Sequence, residues 1–168
     1  MKKNLSILCL LFVSSVLFSQ NKVNELDSYL RNFQYQKALD FIDSQEEQSK
    51  DLLLQKVICL KVLGDYRRAI ETLKPLDKEY PDDVQIKSEL AICYDAIAQR
   101  QASISYYDDL IRLDSANTYF KMQKADILFK QNRYNKALEV FQNVYEQEKS
   151  GIASKRIGQC FERINQLD

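Results

Sequence analysis

"NRYNKALEVF" occupies Asn132 to Phe141, and two earlier stretches repeat its pattern: "GDYRRAIETL" from Gly64 to Leu73 and "FQYQKALDFI" from Phe33 to Ile42. In each, a Tyr is followed three residues later by Ala, then by Leu or Ile, and a large apolar residue stands four after the Ala. The small residue falls at Ala38, Ala69, Ser103 and Ala137, at spacings of 31, 34 and 34. A period of this length marks a repeat architecture. The copy around Ser103, "RQASISYYDDL", has Arg100 in place of the Tyr yet keeps Ile104 and Tyr107 in phase.

Each period reads as two helices. Leu90, Tyr94, Ile97 and Ala98 recur at helical spacing, and Ile104, Tyr107, Leu110 and Ile111 do so on a second segment. In the next period Ala125, Leu128 and Phe129 precede Ala137, Leu138, Phe141, Val144 and Tyr145. Such stripes belong to helices with one buried side. Short polar turns separate the paired segments at 63–66, 97–101 and 131–134; "EYPDD" (Glu79 to Asp83) and "LDSAN" (Leu113 to Asn117) separate the periods. Pro and Asp at these points stop one helix and start the next. No stretch alternates in the manner of a strand, so no sheet is expected. Helices pack about 8–10 Å apart, and a small residue at the crossing permits that approach. A single pair cannot bury both its faces, so pairs must stack. Pro75 lies inside one segment, and a kink or break is expected between Glu71 and Leu76.

These residues resemble the tetratricopeptide repeat, a 34-residue helix–turn–helix unit with a Trp-x2-Leu-Gly-x2-Tyr…Ala-x3-Phe…Pro pattern. "LAICY" (Leu90 to Tyr94) and "IGQCF" (Ile157 to Phe161) match its first element, Ala137 with Phe141 its second, and Pro81 its closing Pro. Ser115 and Lys149 stand where other copies should close with Pro, and the family's Trp is absent. The resemblance implies an all-α fold, a right-handed superhelical stack of these units. It places units at about 21–49, 50–83, 84–117 and 118–150 and a last helix at 152–166, all within one domain, 20–168. That last helix is expected to cap the stack of a monomer, burying Ile157, Cys160 and Phe161 against Ala125, Leu128 and Val144, with an unfinished repeat that a partner completes as the rival reading.

The chain opens "MKKNLSILCLLFVSSVLFSQ". Two Lys precede an apolar run from Leu5 to Phe18, shorter than the roughly 20 residues of a membrane span. Residues 1–19 therefore read as a secretory signal, cut before Gln20, with a retained anchor as the rival reading. Cys9 follows Leu8, which excludes a lipoprotein site. The expected location is the periplasm or the exterior, with no stable membrane insertion after cleavage. Loss of Lys2 and Lys3 changes a balance of 24 basic and 24 acidic residues to 22 against 24. That surface suits no nucleic acid. Cys59, Cys93 and Cys160 take the same place on the first helix of a pair and read as buried thiols. Stacked units set them about 10 Å apart, too far for a disulfide.

Little here can carry chemistry. The sequence has no His, which excludes His-based catalysis and His-ligated zinc. Its only glycines, Gly64, Gly151 and Gly158, form no phosphate cradle. The acidic pairs Glu46–Glu47, Asp82–Asp83 and Asp108–Asp109 fall at helix ends or on polar faces, where they solvate. Neither a cofactor nor a metal is expected, and the reading is of a protein that is not an enzyme. Most aromatics are in repeat phase; Tyr119, Phe120 and Phe129 are not. By the resemblance, first helices line a concave groove. Residues outside their buried stripe are Ile58, Glu89, Ile92, Asp95, Tyr119, Met122, Gln123, Asp126, Phe129, Lys130, Lys155, Arg156 and Arg163. Apolar spots among mixed charges suit a peptide groove. The paired Asn and Lys/Arg of the family's carboxylate clamp are missing. Two functions stay open: a non-catalytic scaffold of the cell envelope that holds a protein or peptide, or a glycan- or nutrient-binding accessory with Tyr119 and Phe129 as stacking platforms.

Overall fold

A computed structural model describes residues 25–166. The expected signal segment and its cleavage point lie outside them. The chain divides into two compact units, one ending at Asp65 and one beginning at Tyr66. Among the described residues there is no strand. The expected repeat 50–83 is thereby split, its first helix in one unit and its second in the other.

The first unit contains α1 (residues 25–31), α2 (Tyr35–Asp43) and α3 (Lys50–Val62). Ser49 starts α3 by accepting the N–H of Leu52, which satisfies one of the donors a helix start leaves open. α2 packs on α3 through Ala38, Leu39 and Ile42, all at most 2% exposed. Lys56 of α3 pairs with Asp43 of α2 at 2.5 Å.

The second unit is α4 (Tyr66–Glu79), α5 (Val84–Ala96), α6 (Arg100–Leu113), α7 (Thr118–Lys130), α8 (Tyr134–Glu148) and α9 (Gly151–Asn165). Each helix packs on the next in chain order. The core between them includes Ala91, Ile104, Tyr107, Leu110, Phe120, Ala125, Leu128, Ala137, Phe141 and Cys160. The expected crossing residues are all fully buried: Ala38, Ala69, Ser103 and Ala137 at 0% exposure. Ser103 shows why its hydroxyl is tolerated there. Its Oγ donates to the Ala91 carbonyl of α5 at 2.6 Å, so the small residue at the α5–α6 crossing is also satisfied.

The turns inside the repeats obey one rule. Phe33, Gly64, Ala98 and Asn132 are left-handed, with φ of 56, 79, 60 and 60°. They recur at 31, 34 and 34 residues, the period of the small residue. The residue after each donates its N–H to the carbonyl five back: Gln34 to Tyr29, Asp65 to Leu60, Gln99 to Tyr94 and Arg133 to Leu128, at 2.8 to 3.0 Å. This is the closure that ends a helix with a left-handed residue, and it normally selects Gly. Only Gly64 takes that conformation without steric cost.

Three expectations need correction. Of the kink or break expected at Pro75, the break is absent: α4 runs from Tyr66 to Glu79 with Pro75 inside it. Pro costs such a helix ~3 kcal/mol. Leu73 and Leu76 on either side are buried, and each contributes about 1.5–3 kcal/mol, enough together to hold the segment helical. Phe120, out of phase in the sequence, is a core residue at 6% exposure. On α9, Cys160 is buried and Ile157 packs on the core, but Phe161 remains 48% exposed. It occupies the position of Tyr94 on α5, which α6 covers through the Tyr94–Tyr106 stack at 5.7 Å. No described helix plays the part of α6 for α9.

One feature gave no sequence signal. Lys87 is 6% exposed on α5. Its ammonium stands 3.2 Å from Asp77 of α4 and 3.6 Å from Asp109 of α6, and 5.6 Å from the Tyr106 ring centre. Tyr106 in turn donates to Asp77 at 3.1 Å. A buried charge is tolerated because its partners are held in place on the two flanking helices, α4 and α6.

Ala98→Gly is expected to stabilise the protein by about 0.5–1 kcal/mol, the relief of a left-handed Ala less the extra freedom of Gly in the unfolded chain. Urea titration reads it, and a lowered midpoint would count against the turn rule. Ala137→Leu should instead cost roughly 1–3 kcal/mol by overfilling the α7–α8 crossing. An unchanged midpoint would show that the repeat phase is misplaced.

Candidate functional site

The first helices of the repeats in the second unit, α5, α7 and α9, share one face, called the inner face below. Two ion pairs cross it. Asp95 of α5 meets Lys130 of α7 at 2.5 Å, and Asp126 of α7 meets the Arg156 Nε of α9 at 2.9 Å. The geometry follows from helix periodicity: Asp126 and Lys130 are four apart, hence on one face of α7. One reaches forward along the stack and the other back. Arg156 also donates to Gln159 at 3.0 Å.

Between these pairs lies a cavity of about 270 Å³, lined from α5 by Ile92 and Asp95 and from α6 by Tyr107. Gln123, Asp126, Ile127, Phe129 and Lys130 line it from α7 and Arg156 from α9. Two larger furrows of about 430 Å³ each lie toward α6 and α8 and share Lys124, Glu139 and Val140. Their linings also carry both charge signs, among them Glu139 and Lys124, which pairs with Asp108 at 2.5 Å. The inner cavity is the stronger candidate because four helices converge on it and its carboxylates, Asp95 and Asp126, are partly buried, whereas Asp108, Glu139 and Glu146 of the furrows are exposed.

Burial decides the electrostatics. It pushes the Asp126 carboxyl above its ordinary range, and Asp95 adds to that, although Arg156 and Lys130 pull the other way. The ion pair therefore does not fully offset desolvation. Tyr107 is similarly raised by burial first, then by Tyr119, Asp95 and Glu89. Burial also pushes up the thiols of Cys59 and Cys160; all three described cysteines are buried and none is in a disulfide. Raised, buried thiols are poor nucleophiles.

The expected groove residues separate into groups. Ile92, Asp95, Gln123, Asp126, Phe129, Lys130 and Arg156 come together at the cavity. Glu89 is half-buried on α5, and its charge reaches Tyr107. Met122 packs against the core rather than standing free, and Phe129 does so in part, its ring edge-on to Tyr134 at 5.0 Å. Tyr119 is 54% exposed and is not part of the cavity lining to which Phe129 belongs. Arg163 is exposed two turns beyond Arg156 on the same side of α9. Lys155 is exposed but points about 100° away from Arg156. Ile58 is 40% exposed on α3, in the other unit. The basic far end of the groove thus shrinks to Arg156 and Arg163, and the first of these is already paired.

Tyr107 is a cavity-lining residue that pattern reading assigned wholly to the core. Its position holds Ile42, Leu73 and Phe141 in the other copies, each fully buried. Tyr107 fills the same socket at 2% exposure while bordering the cavity. A phenol in a socket otherwise apolar was the available signal, since a buried Tyr hydroxyl needs polar surroundings.

Among the described residues no cluster of His, Cys, Asp or Glu could hold a metal, and no helix is long and apolar enough to cross a membrane.

Residues 89–152 match the tetratricopeptide repeat family. No curated protein matches the sequence. Among solved structures, a crystal structure of MamA is similar over 87% of this chain and 82% of its own, with 17% identity and a TM-score of 0.75. MamA AMB-1 is similar over 88% and 84%, at 16% identity and a TM-score of 0.70. MamA MSR-1 is similar over 86% and 85%, at 14% identity and a TM-score of 0.68. Likeness at such identity is one of fold: an all-α stack of tetratricopeptide-type helix–turn–helix units.

The raised Asp126 carboxyl predicts a pH effect. Its folded pKa lies above the unfolded value, so the folded state takes the proton first. The stabilisation this brings is full below the unfolded pKa and is lost as pH rises through the folded one. Asp126→Asn should therefore narrow its stability gain over wild type as pH falls from ~7 to ~4 in urea titrations. A gap that widens toward acid would mean the Arg156 pair outweighs burial.

Proposed function

We propose that this chain is a non-catalytic scaffold of the cell envelope that holds a protein or peptide on the inner face of α5, α7 and α9. The observation that carries the reading is the convergence of Ile92, Asp95, Gln123, Asp126 and Arg156 from three first helices at one cavity. A mixed lining of this kind offers anchors and hydrogen-bonding groups to a partner chain. The tetratricopeptide match over 89–152 supports it, since stacked helical repeats build extended binding surfaces. Export rests on the signal-like residues 1–19.

A capture experiment tests the reading. Full-length chain produced in an envelope-bearing host is recovered, its N-terminal mass measured, and the immobilised protein exposed to envelope extract. The mature N-terminus should be Gln20; an intact Met1 would replace export by anchoring. Wild type and Glu139→Arg, on the α8 side, should retain the same protein, and Ile92→Arg should lose it. Retention by Ile92→Arg, or loss only in Glu139→Arg, would move the binding surface off the inner face.

A further inference from the structure

The two inner-face ion pairs are unequal in how their members meet solvent. The side chains of Asp95 and Asp126 are 22% and 23% exposed, whereas those of Lys130 and Arg156 are 51% and 36% exposed. All four side chains line the cavity, the carboxylates as its more buried members and the cations as its more solvent-exposed ones. Such a pocket answers differently to guests of opposite sign. A guest ammonium or guanidinium can take the place of Lys130 on Asp95, because Lys130 has a flexible stem and water at hand. A guest anion must instead draw Lys130 or Arg156 away and leave a partly buried carboxylate uncompensated. Asp126 is already short of compensation, since burial raises it in spite of both cations.

The remaining walls suit a long basic side chain. Phe129 is fixed edge-on by Tyr134, and the Tyr107 ring is buried. Aromatic walls accept the methylene stem and favour the charged end. At about 270 Å³ the cavity falls just below the ~300–1,000 Å³ of pockets that enclose a free small molecule, and it is open to the inner face. One side chain of a longer ligand fits it.

We propose that this cavity receives a single lysine or arginine side chain from a partner segment lying along the inner face, the guest cation replacing Lys130 on Asp95. The proposal rests on the inner face being the binding surface and adds what that surface selects.

Four pools of fluorescent dodecapeptides test it, each with the central residue fixed as Lys, Arg, Leu or Glu and all other positions randomised. Binding to the full chain is read by polarisation. The Lys and Arg pools should bind about tenfold more tightly than the Leu and Glu pools. Asp95→Asn and Asp126→Asn, both isosteric, should bring the basic pools down to the Leu pool. Lys130→Ala should strengthen the basic pools, because the guest then finds its seat vacant; this variant removes only a half-exposed side chain and keeps the test open if an Asn variant folds poorly. Equal binding of all pools, a preference for Glu, weaker selectivity in Lys130→Ala, or no binding by any pool would each overturn the proposal. Equal binding that Ile92→Arg abolishes would leave the inner face as the binding surface and remove only its selectivity. Binding of every pool untouched by Ile92→Arg would remove the surface itself.

Discussion

The crossing of two helices at a small residue is the constraint from which the rest of this structure follows. At the α5–α6 crossing Ser103 touches the Ala91 carbonyl, and at the α7–α8 crossing Ala125 and Ala137 share one core cluster. Close approach there lets Tyr107 and Phe141, four residues further on, fill the seam to 2% exposure or less. With the second helices' apolar stripes used in the seams, the first helices have one side left over. That side carries the paired charges and the cavity. The proposed binding surface is thus what the packing leaves over.

The turn that joins each pair is under a second constraint, and the sequence meets it unevenly. A left-handed residue is required at Phe33, Gly64, Ala98 and Asn132, yet only one is Gly. Asn tolerates the conformation; Ala and Phe do so at a cost of roughly 1–2 kcal/mol each. Packing of the adjoining helices must exceed that cost, because the closing hydrogen bonds are present at all four turns. The same logic explains Pro75, where buried neighbours on both sides overrule a helix breaker.

The helical class, the period, the crossing residues and the burial of the cysteines were legible in the sequence, because each depends on spacing along a helix. Seven of the thirteen groove residues meet at the cavity for the same reason: they share a side of their helices. What spacing does not carry is the third dimension. Lys87 looks like a surface residue until Asp77 and Asp109 arrive from α4 and α6. Tyr107 belongs to a second helix and borders a cavity otherwise built by first helices. Phe120 stands out of phase and is core because α7 meets neighbours on two sides. Phe161 is in phase and exposed because no described helix covers it. Nor does composition show that Asp95, Asp126, Lys130 and Arg156 are partnered with one another rather than free for a ligand.

The inner face, rather than the furrows toward α6 and α8, is the surface that this account assigns to binding. Amide chemical-shift mapping decides between them most directly. The isotope-labelled full chain is titrated with a fragment of the protein it captures from envelope extract. Shifts are expected to concentrate at Ile92, Asp95, Gln123, Lys130 and Arg156. Shifts concentrated instead at Ile111, Glu139, Gln142 and Asn143, with the inner-face amides unmoved, would contradict it.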